Sequence, residues 1–294
     1  MRQPHRVLID RIEALIQQDV GRNISALFAA AMGGLWGAAS ALAASGTPRV
    51  GLITGFYVPR GTPPAAETDG PAGAALLASG LARLGMACRL LTDAPCRSAC
   101  EAALRGAGLH HVPVDSVAVN APLAGIITAW RGHGIDWAIA VERCGRGADG
   151  RPHNMRGEDI SAHAAPLDEV FGAGPWRSIA IGDGGNEIGM GNLPRDLIAA
   201  HVTHGERIAC VTPADHLVLA GVSHWGVYGL LAALAVLRER EGVALLRSLT
   251  PALDDAILRS LVFDGPAVDG VSLRQTMTID RLDMLTHGRM REAV

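Results

Sequence analysis

Ser178-Ile179-Ala180-Ile181-Gly182-Asp183-Gly184-Gly185-Asn186-Glu187-Ile188-Gly189-Met190-Gly191 is a short apolar run that breaks into a glycine-rich, acidic turn. A run of strand length, apolar throughout and closed by glycine, suits a strand buried on both faces. The same pattern recurs on either side of it. Strands are expected at 49–55, 87–92, 110–114, 136–141, 177–182 and, as the last one, Arg207 to Val211. Helical spacing falls between them, at 33–45, 72–84, 96–106, 121–132, 193–201, 224–240, 243–249 and 252–263, before an irregular tail. Apolar positions Val7, Leu8, Ile12, Leu15 and Ile16 give a further amphipathic helix over 3–19. Strands alternating with helices predict a three-layer α/β fold, Rossmann-like, with a mostly parallel sheet and helices on both faces. No composition shift marks a boundary, so residues 1–294 are expected to form a single unit with the 3–19 helix packed on it.

Ligands of such sheets bind beyond the carboxyl ends of the strands. Attention therefore falls on three polar loops, 54–70, 142–159 and 182–192, which hold most of the clustered glycines and carboxylates. They are expected to meet at one edge of the sheet.

Composition removes several functions. All 26 basic residues are Arg and none is Lys, which excludes a Schiff-base lysine, and with it pyridoxal phosphate, and also a Walker A phosphate loop. A net charge of −3 without basic runs, and only 4% aromatic residues, argue against nucleic acid as a partner. The uncharged stretch from Ile24 to Thr47 is long enough to span a bilayer, but it is mostly Ala, Gly and Ser, and a buried helix of a soluble protein is expected there, not a membrane segment. Five cysteines at irregular spacing, without C-x-x-C, fit a reduced cytoplasm better than a disulfide framework. Charged residues Arg11, Glu13 and Asp19 precede any apolar run, unlike a signal peptide.

The 182–191 turn is not G-x-G-x-x-G, because Glu187 stands where the third glycine belongs, so no NAD-type cofactor is expected. Gly184 and Gly185 let the backbone approach a ligand and turn its amides inward. Asp183, Asn186 and Glu187 put three oxygen-bearing side chains on one turn. Such a set suits a hard divalent cation, Mg²⁺ or Mn²⁺ in preference to zinc, or proton transfer to a polar substrate. A tight strand-to-helix turn with capping Asp and Asn would use the same residues. The 142–159 loop carries Glu142, Arg143, Asn154 and Arg156: arginine forks bind carboxylates, and a neighbouring glutamate can act as base or metal ligand. A merely solvated charged loop is the alternative. In the third loop, Glu67-Thr68-Asp69 enters a helix with Pro71 in its first turn, a place where Thr68 or Asp69 could simply cap. The histidines lack partners at metal-site spacing, and Cys144 stands in no recognisable nucleophile context.

Taken in order, Thr68-Asp69-Gly70-Pro71, Glu142-Arg143, Asp149-Gly150, Asn154-Met155-Arg156-Gly157, the 182–191 turn and Ala220-Gly221-Val222-Ser223-His224-Trp225-Gly226 resemble the D-glutamate cyclase C-terminal domain family over about residues 20–283. The chain departs from that pattern at Pro152-His153, where aromatics are common, at His224, where Asn is usual, and at Ile279-Asp280-Arg281, in place of Val-Asp-Gly. The resemblance implies a lyase that closes a small acidic amino acid, D-glutamate, to 5-oxo-D-proline with loss of water. Such chemistry needs a base for the ammonium, charge for the oxyanion and an acid for the departing oxygen. Asp183, Glu187 and Glu142 are the expected catalytic groups. Asp69, Arg143, Asn154, Arg156, Gly184, Gly185 and Asn186 are the expected substrate contacts, and Asp183, Asn186 and Glu187 the expected metal ligands. Two other readings stay open: a non-catalytic module sensing an acidic metabolite, and a metal-assisted hydrolase or dehydratase on another carboxylate substrate. A homo-oligomer is compatible with either.

Overall fold

The computed structural model describes residues 2–294. Its core is a six-stranded sheet of β1 (Arg49–Ile53), β2 (Ala87–Asp93), β3 (Val114–Val117), β4 (Trp137–Val141), β5 (Arg177–Gly182) and β6 (His216–Leu219). Every pairing is parallel, and the spatial order is β3-β2-β1-β4-β5-β6. That is the doubly wound order, with its topological switch between β1 and β4.

Both faces of the sheet are buried, and the pleat divides its side chains between two apolar layers. Val50 and Leu52 of β1, Trp137, Ile139 and Val141 of β4, and Ile179 and Ile181 of β5 belong to one layer. Ile53, Ala138, Ala140 and Ala180, pointing the opposite way, belong to the other. The first layer is closed by α1 (Arg2–Ile16), α3 (Gly34–Ala43), α4 (Asp69–Arg83), α5 (Arg97–Gly106), α10 (Ser223–Leu237), α11 (Glu239–Ser248) and α12 (Pro251–Phe263). The second is closed by α2 (Ser25–Ala31), α6 (Ala124–Gly132), α7 (Leu167–Ala173), α8 (Arg195–His201) and the single turn α9 (Gly205–Ile208). Ile9, Ile12 and Ile16 seat α1 in the same layer as α3 and α10. The tail is not irregular: a two-residue ladder, Thr278–Ile279 with Leu282–Asp283, leads into α13 (Met284–Ala293).

Two helices are buried nearly all round. Residues Asp69–Leu81 of α4 and Ser223–Ala235 of α10 are all inaccessible, as expected for helices without a polar face. Their N-termini both open onto the carboxyl edge of the sheet. The uncharged stretch near residue 30 forms two helices, α2 and α3, meeting at 44°, and Leu35, Ala38, Ala39 and Leu42 of α3 are core. No single helix among the described residues is long and apolar enough to cross a membrane.

One expected strand is corrected. Residues 207–211 do not join the sheet; the sixth strand is His216–Leu219. Ile208 ends the α9 turn, and the extended piece after it braces the glycine-rich turn instead. Cys210 N–H donates to Gly185 O (3.0 Å), Val211 N–H to Arg146 O (2.9 Å), and Gly189 N–H to Thr212 O (2.9 Å). The apolar character of 208–210 reflects burial beneath that turn.

Candidate active site

The three polar loops converge at the switch point. A cavity of about 240 Å³ is lined by Phe56–Arg60 and Glu67 from the first, Glu142 and Asn154–Arg156 from the second, and Asp183 and Asn186 from the third. Arg22, Gly270, Val271 and Asp280 complete it.

At this edge lies a triad of buried carboxylates; Glu142 and Asp183 line the cavity, and Asp69, expected as a substrate contact, does not. Asp69 is the first residue of α4, Glu142 follows β4, and Asp183 follows β5. One oxygen from each lies within 4.8 Å of the others. The N-terminus of α10 holds this triad in place. Ser223 N–H donates to Asp69 Oδ2 (3.1 Å) and Asp183 Oδ2 (2.7 Å), His224 N–H donates to Asp69 Oδ1 (2.8 Å), and Ser223 Oγ donates to Glu142 Oε2. Free helix N–H groups and the positive end of the helix dipole favour anions at this position. Gly70 allows the approach, because a Cβ there would stand 2.6 Å from Thr54 Oγ1 and 3.1 Å from Glu142 O. Glu142 has φ 43°, a left-handed conformation that a glutamate adopts at a cost of order 1–3 kcal/mol and that turns its side chain out of the strand.

Charge is unbalanced here. Glu67 and Asp280 line the cavity with Glu142 and Asp183, beside one partly buried cation, Arg22. Arg22 Nη1 lies 3.2 Å from Asp183 Oδ2, and Nη2 lies 2.7 Å from Asp280 Oδ2. Burial first, and then the neighbouring carboxylates, hold Glu67, Asp69, Glu142 and Asp183 well above the usual carboxylate range. A cluster of this kind attracts protons or a cation.

The metal ligands expected on the turn are corrected in part. Glu187 points back into its own loop: Oε1 accepts Asp183 N–H (3.2 Å) and Gly184 N–H (2.7 Å), and Oε2 accepts Gly185 N–H (2.7 Å). Both oxygens and both glycine amides are thereby used inside the turn, and none of Gly184, Gly185 and Glu187 lines the cavity. The set that could hold a metal is Asp69, Glu142 and Asp183; of the residues expected from the turn it includes Asp183 alone. Asn186 donates to His153 O (2.8 Å) while its Oδ1 stays buried without a partner.

Arg143 is also elsewhere. It is buried beneath the sheet edge, paired with Asp93 (2.8 Å) and donating to Gly55 O (2.6 Å) and Ala165 O (2.5 Å), and it does not reach the cavity. Asn154 lines the cavity, but its amide is engaged by Glu158 Oε2 (2.8 Å) and by the backbone N–H of Arg156 (2.9 Å). Arg156 lines the cavity and makes no ion pair among the described residues; Arg60, at the mouth, pairs with Glu158. Glu67, Ser223 and Asp280 lie inside motifs that the sequence already singles out. Arg22 lies in none: only the turn-forming neighbours Gly21 and Asn23, both at positive φ, set it apart.

The fold and this edge define a doubly wound α/β protein with an acidic ligand cavity at its switch point. Comparison with known sequences gives the family. The pattern described as D-glutamate cyclase-like, C-terminal, matches residues 12–294, and the chain belongs to that family. Among curated proteins it is similar to human "D-glutamate cyclase, mitochondrial", 32% identical over 200 residues, or 63% of this chain. The match covers 32% of that relative, so the chain spans about a third of its length.

Proposed function

We propose that this chain is a lyase that converts D-glutamate to 5-oxo-D-proline with loss of water. The observation that carries the reading is the buried triad Asp69, Glu142 and Asp183, two of whose members line the cavity, in a chain whose family is D-glutamate cyclase-like. In this reaction the α-ammonium gives up two protons, its nitrogen bonds to the γ-carboxyl carbon, and one carboxyl oxygen leaves with those protons as water. No net acid or base is consumed, so the site must take up protons and return them. Carboxyl groups held above their usual range suit that exchange. Arg156, and Arg60 at the mouth, offer guanidinium forks to the substrate carboxylates. The cavity walls Phe56, Tyr57 and Val58 limit water around the reacting ends, and holding the five-membered geometry supplies much of the acceleration.

The donor set also fits a hard divalent cation. It is all oxygen, buried and short of positive charge, and Asp69, Glu142 and Asp183 would hold Mg²⁺ or Mn²⁺. Such an ion, when bound, polarises a carboxyl group toward attack. The five free cysteines suit a reducing compartment such as the cytoplasm.

The test is direct. Purified protein is incubated with D-glutamate and separately with L-glutamate, with and without Mn²⁺ or Mg²⁺, and 5-oxoproline is followed by chiral chromatography. Product from the D-isomer supports the reading. Tight binding of D-glutamate without product supports a sensor of acidic metabolites in its place.

A further inference from the structure

We propose that Glu67 is the seat of a primary ammonium group: its carboxylate, with Asn186 Oδ1 as a second acceptor, receives the amino end of the ligand that fills the cavity. The inference deepens the cyclase reading by naming the subsite that distinguishes an amino acid from a plain dicarboxylate.

The carboxylates at this edge are not equivalent. Asp69 is satisfied by the N–H groups of Ser223 and His224, Asp183 by Ser223 N–H and Arg22, and Glu142 by the Ser223 hydroxyl, while Asp280 is ion-paired with Arg22. Glu67 lines the same cavity, is 9% exposed, and its carboxylate accepts no hydrogen bond and makes no ion pair among the described residues. It also stands outside the triad whose oxygens converge within 4.8 Å, so the candidate metal position does not account for it. A buried carboxylate without a donor is costly to keep, and the fold keeps it deliberately open. Gly270 is what leaves it room: a Cβ there would come within 2.3 Å of Glu67 Oε2.

Asn186 adds an independent sign. It lines the cavity, is 1% exposed, its amide nitrogen is anchored on His153 O, and its Oδ1 is buried without a partner. Both open groups are acceptors. A ligand that satisfies them brings N–H donors and positive charge, and a primary ammonium, with three donors on one atom, provides both. Arg156, free of ion pairs on the same wall, takes the opposite charge of an amino acid.

The experiment compares two ligands that differ only in the amine. Calorimetric Kd values are measured for D-glutamate and for glutarate in metal-free buffer, with 5-oxoproline followed in parallel both with and without Mn²⁺ or Mg²⁺. Wild-type protein is expected to bind D-glutamate more tightly than glutarate by about tenfold or more, the scale of a charge-assisted hydrogen bond. Glu67→Gln should weaken D-glutamate by roughly 10- to 100-fold while leaving glutarate unchanged, since glutarate brings no ammonium to this subsite. It should melt close to wild type, because a buried carboxyl without a donor is replaced by an amide of the same shape. Gly270→Ala, which keeps the charge but displaces the carboxylate, should reduce the same ratio. Equal affinity of wild type for both ligands, or a ratio that neither variant changes, overturns the assignment. If wild type makes no 5-oxoproline yet shows a preference for the amine that depends on Glu67, the cyclase reading fails and this subsite stands.

Discussion

Arg22 and Asp183, far apart in the chain, form a largely buried ion pair, Nη1 to Oδ2 at 3.2 Å, and the same guanidinium reaches Asp280 at 2.7 Å. One cation thus bridges two walls of a cavity whose other ionisable side chains include Glu67 and Glu142. Removing one member of a buried pair typically costs about 3–5 kcal/mol. Arg22→Gln is therefore expected to lower the melting temperature of metal-free protein markedly, and Mg²⁺ or Mn²⁺ should restore more stability to the variant than to wild type. An unchanged melting temperature in Arg22→Gln would show that the pair carries no structural role.

Asp183 and Glu187, four residues apart on one turn, should respond in opposite ways. Asp183→Asn keeps the shape of the group and leaves Arg22 paired with Asp280, so stability should fall less than in Arg22→Gln while turnover of D-glutamate drops by about 10²–10⁴, the usual worth of proton transfer by a positioned group. Glu187→Gln puts an NH₂ group against backbone N–H donors that the carboxylate now accepts, which should cost roughly 1–3 kcal/mol of stability. Melting curves and initial rates on the two variants decide it; equal behaviour of the pair would refute the division.

Stability should depend on pH in an unusual direction. Burial first, and then the neighbouring carboxylates, raise Glu67, Asp69, Glu142 and Asp183 in the folded chain. The folded protein therefore keeps protons that the unfolded chain releases near pH ~4, and stability is lost as pH rises from there toward the folded values. Asp19, Asp159, Asp254 and Asp283 are held below their usual values and act in the opposite sense, at pH below about 4. Burial also pushes His287 down to about 4 and lowers His216; these two oppose the trend as pH falls below ~6.5, but they face four raised carboxyl groups. Metal-free protein should melt higher at about pH 5 than at about pH 7.5. A steady fall in melting temperature over that same acidification is the contrary result.

Divalent cations should stabilise the chain through the triad. A ligand at about a hundred times its Kd adds about 2.7 kcal/mol, a shift of several degrees in a chain of this size. Mg²⁺ or Mn²⁺ is expected to produce that shift in wild type and not in Asp69→Asn or Glu142→Gln. A response to Zn²⁺ alone, or one that survives both substitutions, speaks against the site.

Arg143→Ala should be a folding defect. Its guanidinium serves Asp93 and the carbonyls of Gly55 and Ala165 beneath the cavity. Loss of a fully buried arginine should lower stability by about 3–5 kcal/mol. At a temperature where the variant is folded, its KM for D-glutamate should stay near that of wild type; a selective rise in KM would return Arg143 to the substrate.

Segment by segment, local patterning was a good guide where burial is two-sided. Trp137–Val141 and Ile179–Ile181 are apolar at every position because each strand faces a helix layer on both sides, so their runs show in the sequence. Arg207–Val211 misleads for a related reason. Its middle, Ile208–Cys210, is apolar through burial under the glycine-rich turn, and burial alone does not say whether a segment's N–H groups meet a strand or a loop. His216–Leu219, four residues between Asp215 and the turn before α10, is too short for its period to be distinctive.

The amino-acid sequence by itself determined the α/β alternation, the three loops at the carboxyl edge, and the glycine-rich turn that places Asp183, because these depend on hydrophobic period and on residues adjacent in the chain. Tertiary structure alone decided the division of labour within the site. Asp69, Glu142 and Asp183 meet because the strand order puts the ends of β1, β4 and β5 side by side and because the N-terminus of α10 donates to all three. Glu187 and Arg143 sit as close in sequence to that site as the residues that line it, yet turn inward to satisfy backbone groups. Arg22 and Asp280 join it across most of the chain. A side chain's neighbours in space set its charge and its hydrogen bonds, and those are what separate a group that supports the fold from one left open to a ligand.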